Sequence, residues 1–304
     1  MVPEPSSEAP AKSFTDIQTR NGSIYTHPGL LSLPPSSGTS SSSGKRHRFS
    51  IIVPESVTDQ IILKCKAIAS GTSVTHVFIA ALAMALSELQ PPKEESYAVR
   101  YVNHSMINLR PYCRAPYNTR EHAAAPYHTV SAQALGIDLV VPGPPIDGKD
   151  DGQINELSQV ATQVRDYFRT VRPTSSQDEQ IAVSPLMFKS LTTPPGSDPH
   201  IVSDPPFCPA VISSLGNIGS IVSASHGPFE LTNVWAASEP IGAGVAIFLG
   251  TWNGRIELSG VFDTRYHDSG YIRKFLERML DSVSGGLDVD NCTAPIRVTP
   301  NEEK

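Results

Sequence analysis

The 304-residue chain carries 30 acidic and 24 basic side chains, a net charge of −6, and no basic run longer than Lys45-Arg46-His47-Arg48. Binding a phosphate backbone needs a basic face, so this balance argues against nucleic acid as a partner. An apolar fraction of 39% suits a globular chain with a sizeable core, and the longest apolar run, residues 77–86, is too short to span a bilayer.

Cys65, Cys113, Cys208 and Cys292 are widely scattered, with no C-x-x-C and no histidine at metal-ligand spacing. Neither a disulfide framework nor a metal site is expected, and the default is free thiols in a reducing compartment. The N-terminus is rich in Pro, Ser and Glu and has no apolar signal-peptide core, so the expected location is the cytoplasm.

Residues 1–48 end in S-S-G-T-S-S-S-S-G and read as a disordered linker or crossover, with too little apolar surface to offset the entropy of ordering. Order is expected from Phe49-Ser-Ile-Ile-Val53, a short strand. Pro54 then opens a helix to about Ala69, with Val57, Ile61, Ile62, Cys65 and Ile68 at three- and four-residue spacing and Gly71 as its stop. Thr72 or Ser73 caps a second helix, Val74 to about Leu89, whose apolar residues run nearly all round, the mark of a helix packed on several sides. Residues 97–103 alternate as a strand. Residues 111–150 look irregular apart from a strand over 137–141.

An amphipathic helix is predicted over 150–171, with Ile154, Leu157, Val160, Ala161, Val164 and Phe168 in one stripe. A shorter one is predicted over 181–191, weakened by Pro185. After a Pro-rich loop the period switches to two, predicting strands over 210–214, 218–222, 230–236, 244–250 and 255–263 as a late meander. Trp252-Asn253-Gly254 is a hairpin signal between the last two. A closing helix over 269–283 turns Ile272, Phe275, Leu276, Met279 and Val283 inward, and residues 286–304 read as a flexible tail. The expected fold is α+β, a mixed sheet flanked by helices, over residues 49–285.

Four segments in this order carry a family likeness. They are F-S-I-I-V-P-E with its helix, S-V-T-H-V-F-I-A-A-L-A-M-A-L, V-N-H-S-M-I-N-L-R-P and I-S-S-L-G-N-I-G, followed by R-I-E-L-S-G-V-F-D-T-R-Y-H-D and a helix. The chain resembles the C-terminal lobe of the two-lobed chloramphenicol-acetyltransferase-like superfamily, which includes BAHD acyltransferases and peptide-synthetase condensation domains. Within it, the chain is most similar to the fungal trichothecene 15-O-acetyltransferase-like branch.

The resemblance implies O-acyl transfer from acetyl-CoA, as co-substrate, to the hydroxyl of a secondary metabolite, with no bound cofactor. In such enzymes the His of an H-H-x-x-x-D-G motif in the N-terminal lobe acts as the base. No such motif occurs in these 304 residues, so no catalytic residue is assigned. The competing reading is a non-catalytic remnant or partner-binding lobe.

His200-Ile-Val-Ser-Asp204 has H-x-x-x-D spacing, but it sits among prolines with no second His and no Gly after the Asp, as a chance match would. His226 precedes Gly227-Pro228 and reads as a turn imidazole, and His267-Asp268 as a loop pair capping the last helix. Trp235 and Trp252 read as core and hairpin residues.

The resemblance offers seven residues as a tunnel lining. Arg110 of Asn108-Leu-Arg110-Pro111 would anchor a carboxylate across the lobe interface or pair structurally with an Asp. Ser213, Ser214, Gly216 and Asn217 would supply hydroxyls and a close backbone approach near the acyl site, although turn chemistry alone also explains Gly-Asn. His76 reads either as a satisfied core imidazole or as a tunnel group.

Overall fold

The computed structural model describes residues 8–36, 44–119, 127–144, 156–175, 179–192, 208–240 and 242–290. His200, Asp204, Ile154, Asp150, Asp151 and Cys292 lie outside them. The chain divides into two compact units, one of residues 1–30, 100–137 and 166–198, the other of residues 31–99, 138–165 and 199–304. Among the described residues no helix is long and apolar enough to cross a membrane.

The larger unit is built on a four-stranded sheet of β1 (Arg46–Ile52), β10 (Arg255–Asp263), β9 (Val245–Trp252) and β6 (Ala210–Asn217), in that spatial order. β1 and β9 run antiparallel to β10, while β6 lies parallel to β9. The β9–β10 turn is Asn253-Gly254 with φ of 47° and 73°, the two left-handed positions that a tight hairpin requires.

Helices α2 (Glu55–Ile68), α3 (Val74–Glu88) and α6 (Ser269–Leu287) complete this core. Gly260 of β10 faces Ile272 and Leu276 of α6, so a Cβ there would lie 3.3 Å from Ile272. Strand alternation places Ile51, Leu258, Phe262, Ile247 and Leu249 on the same helix-covered face. Ala246, Phe248 and Val261 line the opposite face under Ala236. Helix α3 reads as apolar all round because it is enclosed: Val77 through Ala83 are all buried, and a helix packed on several sides needs no polar face.

The late meander does not form as expected. Ile218–Ser220 is a short 3-10 helix, the 230–236 strand is replaced by a minimal β7 (Ser225–His226) and β8 (Phe229–Glu230) hairpin, and β6 returns to the sheet beside β9. Asn217 turns the chain out of the sheet by accepting a hydrogen bond from the Gly219 N–H at 3.1 Å, which ends the extended run before Ile218. The remaining strands are β2 (Tyr97–Asn103) paired with β5 (Leu135–Val141), and β3 (Met106–Asn108) paired antiparallel with β4 (His128–Val130).

The smaller unit corrects the reading of residues 1–48 as disordered. Glu8–Tyr25 is a helix, α1, whose Ile17 packs with Ala132, Val183 and Met187. Asn21 on the same stripe donates to the Ala132 carbonyl and accepts from the Ala134 N–H, both at 2.9 Å. Phe14, Ile17, Asn21 and Ile24 have helical spacing, but the serines and prolines around them dilute the signal. Helix α4 (Leu157–Val171), whose residues to Arg165 belong to the larger unit, buries Leu157, Val160, Ala161 and Val164 of the expected stripe, while Phe168 is only half-buried and Tyr167 and Val171 are buried. Helix α5 (Glu179–Thr192) accommodates Pro185 and buries Val183 and Met187.

Candidate functional site

In the larger unit, five of the seven candidate residues lie on two elements, the first turn of α3 and the end of β6. Ser73 caps α3 and His76 closes a capping box: the His76 Nδ1 accepts from the Ser73 N–H at 3.1 Å. A neutral imidazole whose Nδ1 accepts carries its hydrogen on Nε2, so His76 is built to donate and not to take a proton. Its side chain is buried.

One residue earlier, the Thr75 hydroxyl lies 2.7 Å from the Ser214 hydroxyl. Two hydroxyls hold two hydrogens and use one between them, which leaves one O–H for another acceptor. Ser213, the preceding residue of β6, pairs in register with Phe248 and therefore projects to the opposite face of the sheet. Ser213 and Ser214 thus do not form one hydroxyl cluster; Ser214 pairs instead with Thr75, which sequence reasoning passed over. The signal available was only a Thr at the second position of a capped helix, and its partner is 139 residues away.

Gly216 and Asn217 end the strand. A shift of register between Ser214 and Gly216 marks a bulge, and Gly216 has φ of +67° with open space where a Cβ would stand. Its glycine therefore answers a backbone requirement and not a close approach by neighbouring protein atoms. Asn217 is exposed and occupied with the Gly219 turn.

Asn108 and Arg110 belong to the smaller unit. The Asn108 Oδ1 accepts from the Arg110 N–H at 3.0 Å. The Arg110 guanidinium lies 4.8 Å over the Tyr127 ring, and its Nη1 donates to the Tyr117 carbonyl at 3.3 Å. This is a locally anchored cation stacked on an aromatic face.

A second polar group in the smaller unit had no signal in the sequence. The Ser131 hydroxyl lies 2.6 Å from the Tyr167 hydroxyl and accepts from the Ser105 N–H at 3.0 Å, while Tyr167 donates to the Gln133 carbonyl. His104 sets its Nδ1 2.9 Å from the Ser131 carbonyl, which makes Nδ1 the protonated nitrogen of the neutral ring. Burial holds His104 below the ordinary imidazole value, against the opposing Ser131 carbonyl.

His226 is exposed in β7, with Nε2 2.8 Å from the Ser223 carbonyl. Asp268 caps α6 by accepting from the Tyr271 N–H, and His267 is buried beside it. Trp252 is buried at the hairpin as expected; Trp235, expected in the core, is instead 56% exposed, with the Arg48 guanidinium 4.5 Å over its ring.

No family model matches the sequence, and no curated protein sequence matches it. The fold does match solved structures. The chain is similar to the TRI3 trichothecene 15-O-acetyltransferase from Fusarium sporotrichioides, with a TM-score of 0.60 and 11% identity, over 92% of this chain and 53% of that one. It is also similar to the EpoB NRPS cyclization-docking bidomain from Sorangium cellulosum, with a TM-score of 0.54 and 12% identity, over 95% of this chain and 51% of that one. A third likeness is to the nonribosomal peptide synthetase FmoA3, with a TM-score of 0.54 and 14% identity, over 96% of this chain and 27% of that one. The chain spans about half the length of the first two. Its mixed sheet flanked by helices is thus the fold of chloramphenicol-acetyltransferase-like acyltransferase and condensation domains.

Proposed function

We propose that this chain is one lobe of an O-acyltransferase that moves an acetyl group from acetyl-CoA to the hydroxyl of a secondary metabolite of the trichothecene type. The observation that carries the reading is the fold likeness to the TRI3 acetyltransferase over nearly the whole chain. In this reaction a base takes the acceptor's hydroxyl proton, the oxygen attacks the thioester carbonyl, and the tetrahedral oxyanion collapses to ester while CoA leaves as thiolate and regains the proton. The spare O–H of the Thr75–Ser214 pair suits the oxyanion, and His76 stands beside it in the same first turn of α3. The base is an H-H-x-x-x-D-G histidine supplied by polypeptide other than these residues.

The test follows release of free CoA with a sesquiterpenoid alcohol as acceptor. The 304-residue chain alone gives no turnover. The same chain together with an H-H-x-x-x-D-G lobe encoded in frame upstream transfers acetyl, and a His→Ala change in that motif abolishes transfer. Turnover by the chain alone, abolished by His200→Ala, overturns the reading.

The exposure of Ile221, Phe229 and Trp235 between β6 and β9 favours the second reading, a partner-binding lobe without chemistry. Genomic sequence lacking an in-frame H-H-x-x-x-D-G upstream is the result that selects it.

A further inference from the structure

His267 lies between the end of β10 and the Asp268 cap of α6, and it is fully buried. Its Nε2 is 3.0 Å from the Ala243 carbonyl, so the neutral ring carries its hydrogen on Nε2 and donates it there. The Nδ1 is buried and has no hydrogen-bond partner among the described residues. Buried polar atoms are nearly always paired, so an orphaned imidazole nitrogen in a packed site needs an account. The neutral ring tolerates it; a protonated ring would need an acceptor at Nδ1, and the described residues offer none.

The groups facing the ring do not supply one. Tyr271 of α6 stacks parallel to it, with centroids 6.0 Å apart, and burial pushes its phenol up to about 12. Cys208, near Tyr271, is pushed up to about 11 by burial and stays a neutral thiol. Asp268 turns its carboxylate to the Tyr271 N–H and the solvent side. The Asp263 carboxylate, at the end of β10, is taken up by Arg46 and Arg265. Arg278 acts on Tyr271 and brings a further positive charge. Burial therefore holds the His267 ring below its ordinary value, with the Ala243 carbonyl and the Asp268 charge opposing.

The backbone on both sides of His267 holds a strap. The Ser36 N–H donates to the Tyr266 carbonyl at 3.0 Å, and the Asp268 N–H donates to the Ser36 hydroxyl at 3.0 Å. Upstream, the Leu33 N–H donates to the Cys208 carbonyl at 2.9 Å. Leu31, Leu33 and Cys208 are all buried in this arrangement. A charged His267 gains solvation by swinging residues 266–268 outward, and that movement breaks the bonds of Tyr266 and Asp268 to Ser36. We propose that residues 31–36 form an acid-released strap, tied through Leu33 to the backbone of the buried Cys208 while His267 is neutral and opened when its imidazole takes a proton at Nδ1.

The test uses 4,4′-dithiodipyridine, which reacts with thiols at acid pH, and locates the modified cysteines by mass spectrometry from pH 7.5 to 5.0. Cys65, buried on α2, is the internal control for global unfolding. Relative to a free thiol, Cys208 labelling rises by about tenfold per pH unit below 6.5, the limit for one coupled proton, while Cys65 stays flat. His267→Gln removes the pH dependence and His104→Gln keeps it. A flat Cys208, a Cys65 that rises with it, or pH dependence retained in His267→Gln overturns the proposal. Should His267→Gln not fold, imidazole NMR on the unaltered chain decides: the His267 titration midpoint must coincide with the labelling midpoint, and separated midpoints overturn the proposal.

Discussion

Replacing Asp263 with alanine tests how the start of β1 is tied to the end of β10. The Asp263 side chain is fully buried. Its Oδ1 accepts from the Arg265 N–H at 2.8 Å, and its Oδ2 accepts from the Arg265 Nε at 2.9 Å, from the Arg265 Nη2 at 2.6 Å and from the Arg46 Nη1. Hydrogen bonds to a charged group contribute about 1.5–3 kcal/mol each, so simple addition over four would overshoot. The Arg46 and Arg265 side chains are 35% and 42% exposed, so water takes back their guanidinium hydrogens once the carboxylate is gone. What water cannot repair is the loss of the acceptor for the Arg265 N–H and the void left by the carboxylate. The expected loss is therefore about 3–4 kcal/mol, at the low end of the range for breaking a buried ion pair.

Urea unfolding followed by the emission of buried Trp252 measures this loss. With a slope of about 3 kcal/mol/M the midpoint falls by roughly 1 M. Glu239→Ala removes only the 71%-exposed partner of Arg46 and should cost no more than about 0.5 kcal/mol. An Asp263→Ala loss below about 1 kcal/mol, or one equal to that of Glu239→Ala, refutes the reasoning that burial of the carboxylate sets the magnitude.

Three further outcomes are expected. His104 and His267 are both held below the ordinary imidazole value of about 6.5, chiefly by burial, so below that pH the unfolded chain binds protons that the folded chain does not. Their contribution to stability is complete above pH 6.5 and is lost as pH falls through the folded values, by at most about 1.4 kcal/mol per unit for each; the urea midpoints of His104→Gln and His267→Gln should each depend less on pH between 7.5 and 5.5 than that of the unaltered chain. Asn21→Ala removes both hydrogen bonds to residues 132 and 134 and costs about 2–3 kcal/mol, read as faster hydrogen exchange in α1 and around residue 132. Thr75→Val changes stability by under about 1 kcal/mol yet, on the proposed function, lowers acetyl transfer by the chain joined to an H-H-x-x-x-D-G lobe by roughly 100-fold. Equal, small effects on both would make the pair structural.

Local chemistry was legible in the residues themselves wherever a signal and its consequence lie within a few positions. Pro54 and Gly71 bracket α2, Ser73 caps α3, Asp268 caps α6, and Asn253-Gly254 closes the β9–β10 hairpin, because caps and tight turns depend on φ and on side-chain reach over three or four residues. Helix α1 was hidden for a related reason: its stripe is short, flanked by serine and proline, and stabilised by contacts to residues more than a hundred positions away.

The sheet and the candidate site lie beyond that local range. Nothing in A-V-I-S-S-L-G-N says that β6 lies parallel to β9 or that Ile218–Ser220 leaves the sheet. Strand pairing is decided by which faces bury together, and a period of two is shared by many pairings. The same limit separates Ser213 from Ser214, which are adjacent in the chain but on opposite faces once β6 is seated. Thr75 meets Ser214, Arg46 reaches Asp263 and Ser36 meets Tyr266 only because tertiary packing brings together positions 139, 217 and 230 residues apart. The residues themselves determined α2, α3, α6 and the β9–β10 hairpin; α1, the strand order and the distant partners of buried polar side chains were decided by burial, which acts only when the chain has closed on itself.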